Sequence, residues 1–247
     1  MNSEYFKILE TEINGLINGL LPSDEQIASP EYTDEDWQDE IKSFILLSHA
    51  AFEHYFEELA LFKCEEAVQK YLDTGQISNI LLSLLLTYKI EWYVEIKQLS
   101  FYQKIKSIFC PKKYNTKGST KNLSNAIKTS MSQSLTELCK LYKSDVIDKN
   151  LGCNKNNLFR LFTPLVLDKS IAHLDENLFS DIEAFTKKRG YYAHKCSSFW
   201  TAKPIGFHPV ITVESAIDWK SKIQNFLHNS TDFNLKNFDE TIFCLDS

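Results

Sequence analysis

Turn-forming residues are scarce in this chain: 247 residues carry only 7 glycines and 6 prolines. A fold of many short strands needs many tight turns, and tight turns draw on these two residues. Long helices need few. The apolar residues agree. Phe6, Leu9, Ile13, Leu16, Ile17 and Leu20 recur at helical spacing and predict a helix over residues 4–20. Pro22 and Pro30 break the next segment, where Thr33 and Asp36 read as an N-cap signal. The longest helix is expected from Asp36 to Leu72, with Gly75 as its stop. Its apolar side is marked by Ile41, Phe44, Ile45, Ser48, Phe52, Tyr55, Phe56, Leu59, Phe62 and Val68.

One or two further helices are expected in residues 77–110, although Ile90, Trp92 and Val94 alternate as a short strand would. Residues 111–122 read as a polar, basic loop, and Leu123–Tyr142 as a helix. Leu158–Leu167 is short, apolar and interrupted by Pro164. Asp175–His194 reads as a helix, and residues 214–228 as a last amphipathic one through Ala216, Trp219, Ile223, Phe226 and Leu227. A short extended segment is allowed near 205–213, and the tail 229–247 is expected to be loosely held. With 43% hydrophobic and 13% aromatic residues, a large core can be buried. The expectation is one all-α domain over residues 1–247, a multi-helix bundle without internal repeats. The apolar run Ile77–Tyr88 is too short to span a bilayer, so no membrane partner is expected. The acidic N-terminal stretch does not resemble a signal peptide, which points to the cytoplasm.

Charge is unevenly spread along the chain. Residues 1–66 hold sixteen acids against three lysines, whereas residues 97–143 hold ten lysines against the single acid Glu137. The net charge of −6 therefore hides a basic segment that an anion such as RNA would feel. Lys112, Lys113 and Lys117 lie in its loop; the competing reading is a solvated face. The six cysteines (Cys64, Cys110, Cys139, Cys153, Cys196 and Cys244) form no C-x-x-C pair, and no metal site or cofactor is expected. In a cytoplasmic protein they are expected to be reduced thiols. Phosphate-loop, dinucleotide-loop, metalloprotease and nucleophile-elbow motifs are absent.

Of 27 basic residues only Arg160 and Arg189 are arginine. Arg189 opens the run Arg189-Gly190-Tyr191-Tyr192-Ala193-His194. Cleaving RNA without a metal requires that the 2′-hydroxyl lose a proton, the leaving 5′-oxygen gain one, and the charge on the phosphoryl oxygens be stabilised. Histidine suits the proton transfers because it titrates near neutrality. Arginine suits the phosphoryl oxygens because it stays charged and donates in a fork. Five residues along an ideal helix leave two side chains diverging by about 140°. Sharing one groove therefore needs a long Arg reaching round, an irregularity at Gly190, or two copies of the pair in a dimer. Taken alone, the spacing favours a surface Arg and a helix-terminal His.

Two segments change that balance. LFSDIEAFTKKRGYYAHK resembles the C-terminal half of HEPN domains, in which an Arg followed by a His closes a helix. FILLSHAAFEHYFEELA (Phe44–Ala60) resembles the first long helix of the RiboL-PSP branch of that family. The resemblance implies a helical bundle of the HEPN type that dimerises and places two Arg/His pairs in one cleft. It also implies a metal-independent ribonuclease, of the kind found among toxins and antiviral effectors, held in check by an antitoxin or regulatory partner. Carried over by residue, Arg189 stabilises the phosphate, His194 is the catalytic histidine and Glu53 is a polar residue of the site. The sequence departs from the family at Gly190, where many members carry a polar residue, often Asn. That departure keeps a second reading open: a non-catalytic module that binds RNA or protein.

Around this core, His49 lies four residues before Glu53 on the same helix face; the pair reads either as completing the site or, as is more common, as a partly exposed polar contact. Tyr191 can stack on a base. Lys187, Lys188 and Lys195 flank the motif and raise its positive potential. His54 and Glu58 repeat the four-residue spacing on a neighbouring face and read as solvated.

Overall fold

Ser3 starts the first helix. Its hydroxyl accepts the Phe6 backbone N–H at 3.0 Å, satisfying one of the donors a helix start leaves open. The chain then runs as α1, Glu4–Leu20, in a computed structural model that describes residues 3–88, 135–167, 183, 186–190, 216–228 and 234–244. A capping box at Ser23 and Gln26 sets the short α2, Asp24–Ile27. A 3₁₀ turn at Asp34–Trp37 leads into α3, Gln38–Thr74, which is 37 residues long. Gly75 ends it with φ +71°, a left-handed conformation that suits glycine. After α4, Asn79–Thr87, the described chain resumes in a helical stretch, 135–142, that widens into a π turn at Lys143–Ile147. Then come α5, Lys155–Phe162, with a 3₁₀ turn at Thr163–Leu165, the helical stretch 186–190, α6, Ala216–His228, and α7, Leu235–Cys244. Every regular element among the described residues is helical, so the chain is all-α.

The chain divides into two compact units. The first comprises Met1–Leu59, Leu151–Arg160 and Leu167–Ser247. Its core is aromatic. Phe6 meets Tyr55 edge to face at 6.3 Å, Phe52 meets Phe226 at 4.6 Å, and Phe56 meets Phe238 at 6.1 Å. Ile13, Ile41, Phe44, Trp219 and Ile242 are buried with them. The second unit comprises Ala60–Asn150 and Leu161–Val166. Cys64, Leu81, Leu84, Leu138, Phe162 and Leu165 form its core, and the buried Tyr142 hydroxyl donates to the Leu161 carbonyl at 2.7 Å.

The apolar spacing foretells α1, α3 and α6 closely, and nine of the ten positions read as the apolar side of α3 are buried, Phe62 being half-buried. The tail differs from expectation. Within 229–247, residues 234–244 are not loose: Leu235, Phe238 and Ile242 of α7 are buried. The cause is Asp239, which lies in the middle of that apolar stripe and is itself fully buried. It accepts the Ser3 N–H at 2.7 Å, the Ser3 hydroxyl at 2.5 Å and the Tyr55 hydroxyl at 2.9 Å, tying α7 to α1 and α3. The expected loop 111–122, the strand-like residues 90–94 and the extended segment 205–213 lie outside the described residues. Among the described residues no helix is long and apolar enough to cross a membrane.

Candidate active site

His49 and Glu53 sit one turn apart on α3, in the first unit. Across from them runs the stretch 186–190, which brings Thr186 and Arg189. A third segment, Gly152-Cys153, closes the cluster just before α5.

His49 is buried. Its Nε2 lies 3.4 Å from the Thr186 hydroxyl, and its Nδ1 lies 3.8 Å from a Glu53 carboxylate oxygen. The second distance is too long for a hydrogen bond. Burial, followed by the Arg189 charge, pulls the His49 pKa down from 6.5 to about 4, so the imidazole is neutral at pH 7 and makes no ion pair with Glu53 there. The Glu53 carboxyl is pushed up by burial and by Glu57, while Arg189 opposes the rise. It is therefore a better proton acceptor than an ordinary surface carboxylate.

Gly152 is what lets the third segment approach. Its φ is +141°, and a Cβ built there would stand 3.3 Å from His49 Cε1. Any side chain would press on the imidazole ring and strain the backbone. Cys153 follows it into the interior and shares a hydrogen bond with the Thr186 hydroxyl. Burial pushes the Cys153 thiol up to about 12, so it is a thiol at neutral pH and not a nucleophile. The Thr186 hydroxyl thus links Cys153 to His49.

Arg189 is half-buried, and its charge acts on His49, Glu53 and Cys153 alike. The arrangement is a fixed cation beside a neutral imidazole, a thiol and one basic carboxylate. Such a site attracts an anion and offers it a forked donor. Gly190 is helical here, without a positive φ, and a side chain at that position would meet open space among the described residues. The helix is thus regular through Gly190. Lys187 is exposed, with Glu183 3.8 Å away, and Lys188 is half-buried. Tyr191, His194, Lys195, Lys112, Lys113 and Lys117 lie outside the described residues. Among the described residues no group of three or more His, Cys, Asp or Glu is placed to hold a metal ion.

The structure therefore joins three residues that the sequence singles out, His49, Glu53 and Arg189, and adds Gly152, Cys153 and Thr186. The sequence reading does not single out Gly152 or Thr186 and takes Cys153 only as a reduced thiol; a glycine just before a polar stretch is the one local signal available. His228, for which the sequence suggests no partner, lies 2.8 Å from Glu10 and meets Phe6 edge to face at 5.9 Å. His54 and Glu58 are 4.0 Å apart and exposed, as a solvated pair would be.

Comparison with family models, with curated proteins and with solved structures yields no match.

The depressed His49 pKa has a measurable consequence. As pH falls from 6.5 toward 4, the unfolded chain protonates His49 and the folded chain does not, so stability falls. A shift of this size corresponds to about 3 kcal/mol. Glu53, shifted upward, works in the opposite sense. Urea unfolding at several pH values is expected to show a shallower loss of stability in His49→Gln than in the wild type. Equal pH slopes would mean that His49 is not held neutral.

Proposed function

We propose that this chain is a metal-independent endoribonuclease of the HEPN type, acting as a toxin or antiviral-defence effector in the cytoplasm. One observation carries the reading. Glu53 and Arg189, assigned to one site by resemblance to two distant segments, feel each other's charge in the folded chain. The Arg189 guanidinium, beside the Glu53 carboxylate and the neutral His49 ring, offers a phosphodiester a permanent charge and a forked donor. In this reading Arg189 stabilises the phosphoryl oxygens as the 2′-hydroxyl attacks, and His194 transfers the proton. One pair supplies a single proton carrier, whereas the reaction needs a base and an acid. A homodimer would bring a second pair to the same cleft. Lys187, Lys188 and Lys195, with Lys112, Lys113 and Lys117, would attract the RNA backbone, and Tyr191 would stack on a base.

The deciding experiment is expression of the wild type beside His194→Ala. Growth arrest by the wild type alone, with RNA cleaved in the presence of EDTA to a 2′,3′-cyclic phosphate, is the expected result. Gly190, in place of a polar residue, favours a second reading, a module that binds RNA without cutting it. Equal toxicity of the two proteins, or binding without cleavage, would select that reading.

A further inference from the structure

Two cysteines that are far apart in sequence face each other in the second unit. Cys64, on α3, is fully buried; Cys139, on the helical stretch 135–142, is half-buried. Their sulfurs are 3.5 Å apart, and the Cys64 thiol donates to the Cys139 sulfur. A disulfide needs about 2 Å. The gap to be closed is about 1.5 Å. We propose that Cys64 and Cys139 form a reversible, peroxide-driven disulfide, with Cys139 as the sulfur first oxidised and Cys64 as the sulfur that resolves it.

The division of labour follows from the geometry. Cys139 is the less buried of the two residues, and Cys64 is fully buried. The hydrogen bond from Cys64 favours the Cys139 thiolate, the reactive form, and lowers its pKa, while burial and the Glu65 charge oppose this. The same hydrogen bond, with burial, keeps the proton on Cys64. In the first step the Cys139 thiolate attacks a peroxide oxygen. An S–O bond forms, the O–O bond breaks, and the departing hydroxide takes up a proton to become water. Once oxidised, Cys139 no longer carries the thiolate charge that held the Cys64 proton, so in the second step Cys64 passes that proton to the sulfenic oxygen as its sulfur attacks the Cys139 sulfur. The S–S bond forms, the S–O bond breaks, and the Cys64 proton leaves with the hydroxide as a second water. Each sulfur gives up one electron, and the peroxide accepts both. Cys153, in the first unit, is buried and bonded to the Thr186 hydroxyl rather than to a sulfur, so it serves as an internal control.

The test uses the full chain, folded and reduced, treated with hydrogen peroxide, then alkylated and digested without reductant. The expected product is a Cys64–Cys139 linked peptide, lighter than the two thiol peptides by two hydrogens and lost on treatment with dithiothreitol. Cys153 should remain a thiol. In Cys64→Ser, Cys139 should instead accumulate as sulfenic acid, trapped by dimedone. The wild-type measurement stands even if that variant does not fold. Cys139 recovered as sulfinic acid without a link, a link to another cysteine, or no reaction at either residue would each overturn the proposal.

Discussion

Arg189→Ala is expected to lower the proposed RNA cleavage by roughly a hundredfold to a thousandfold, the usual loss when one preorganised donor to a developing oxyanion is removed. The fold should survive, because Arg189 is only half-buried and lies outside the aromatic core. Arg189→Lys should recover a small part of the activity: it restores the charge but not the fork that holds two oxygens at once. The same variant has a readout that does not depend on turnover. Arg189 contributes to the low His49 pKa, so the His49 ring should titrate higher in Arg189→Ala, though still below 6.5 because burial remains. Proton chemical shifts of the imidazole, followed against pH, would show this. Cleavage within a few-fold of wild type would remove Arg189 from the catalytic role. An unmoved His49 titration would show that its charge does not reach into the cluster.

Asp239→Ala should cost about 3 kcal/mol or more in urea unfolding, because each buried donor left without an acceptor costs about 1–3 kcal/mol. Three donors lose their acceptor at once: the Ser3 N–H, the Ser3 hydroxyl and the Tyr55 hydroxyl. Tyr55 is buried, and its phenol is pushed well above the ordinary range by burial and by Asp239, so it cannot escape the loss by ionising. Tyr55→Phe should cost much less, about 1 kcal/mol, because it removes a donor and leaves the carboxylate with two. The ranking matters more than either value. A Tyr55→Phe effect as large as that of Asp239→Ala would mean that ring packing, and not the carboxylate, holds this junction.

Helices were readable because their signal is local. The four- and three-residue spacing of Phe6, Leu9, Ile13 and Ile17 is enough to place α1. In α7 the same spacing runs through Leu235, Phe238 and Ile242, but a carboxylate sits beside Phe238. Read locally, Asp239 interrupts an apolar face. It is accommodated only by residues 236 and 184 positions away, which no periodicity reveals. Lys63 poses the same difficulty, being buried where a lysine would be expected at the surface, with a 2.7 Å ion pair to Glu66. At the candidate site, the four-residue spacing of His49 and Glu53 put them on one face. That the imidazole is buried and neutral depends on Gly152 and Thr186, which arrive from other segments. Arg189 was conspicuous because the chain uses lysine nearly everywhere else.

The junction of Ser3 with Asp239 also sets a schedule. Ser3 leaves the ribosome 236 residues ahead of its partner. At about 5–20 residues per second, roughly 12 to 50 seconds of translation separate the two. The first unit is assembled from segments on both sides of the second, so α1 waits while the second unit is made before α7 follows. A nascent chain can complete its second unit while still tethered, but not its first. The cluster around Arg189 is likewise completed only after the second unit has been made, and a chain truncated before α7 would be released without its final clasp.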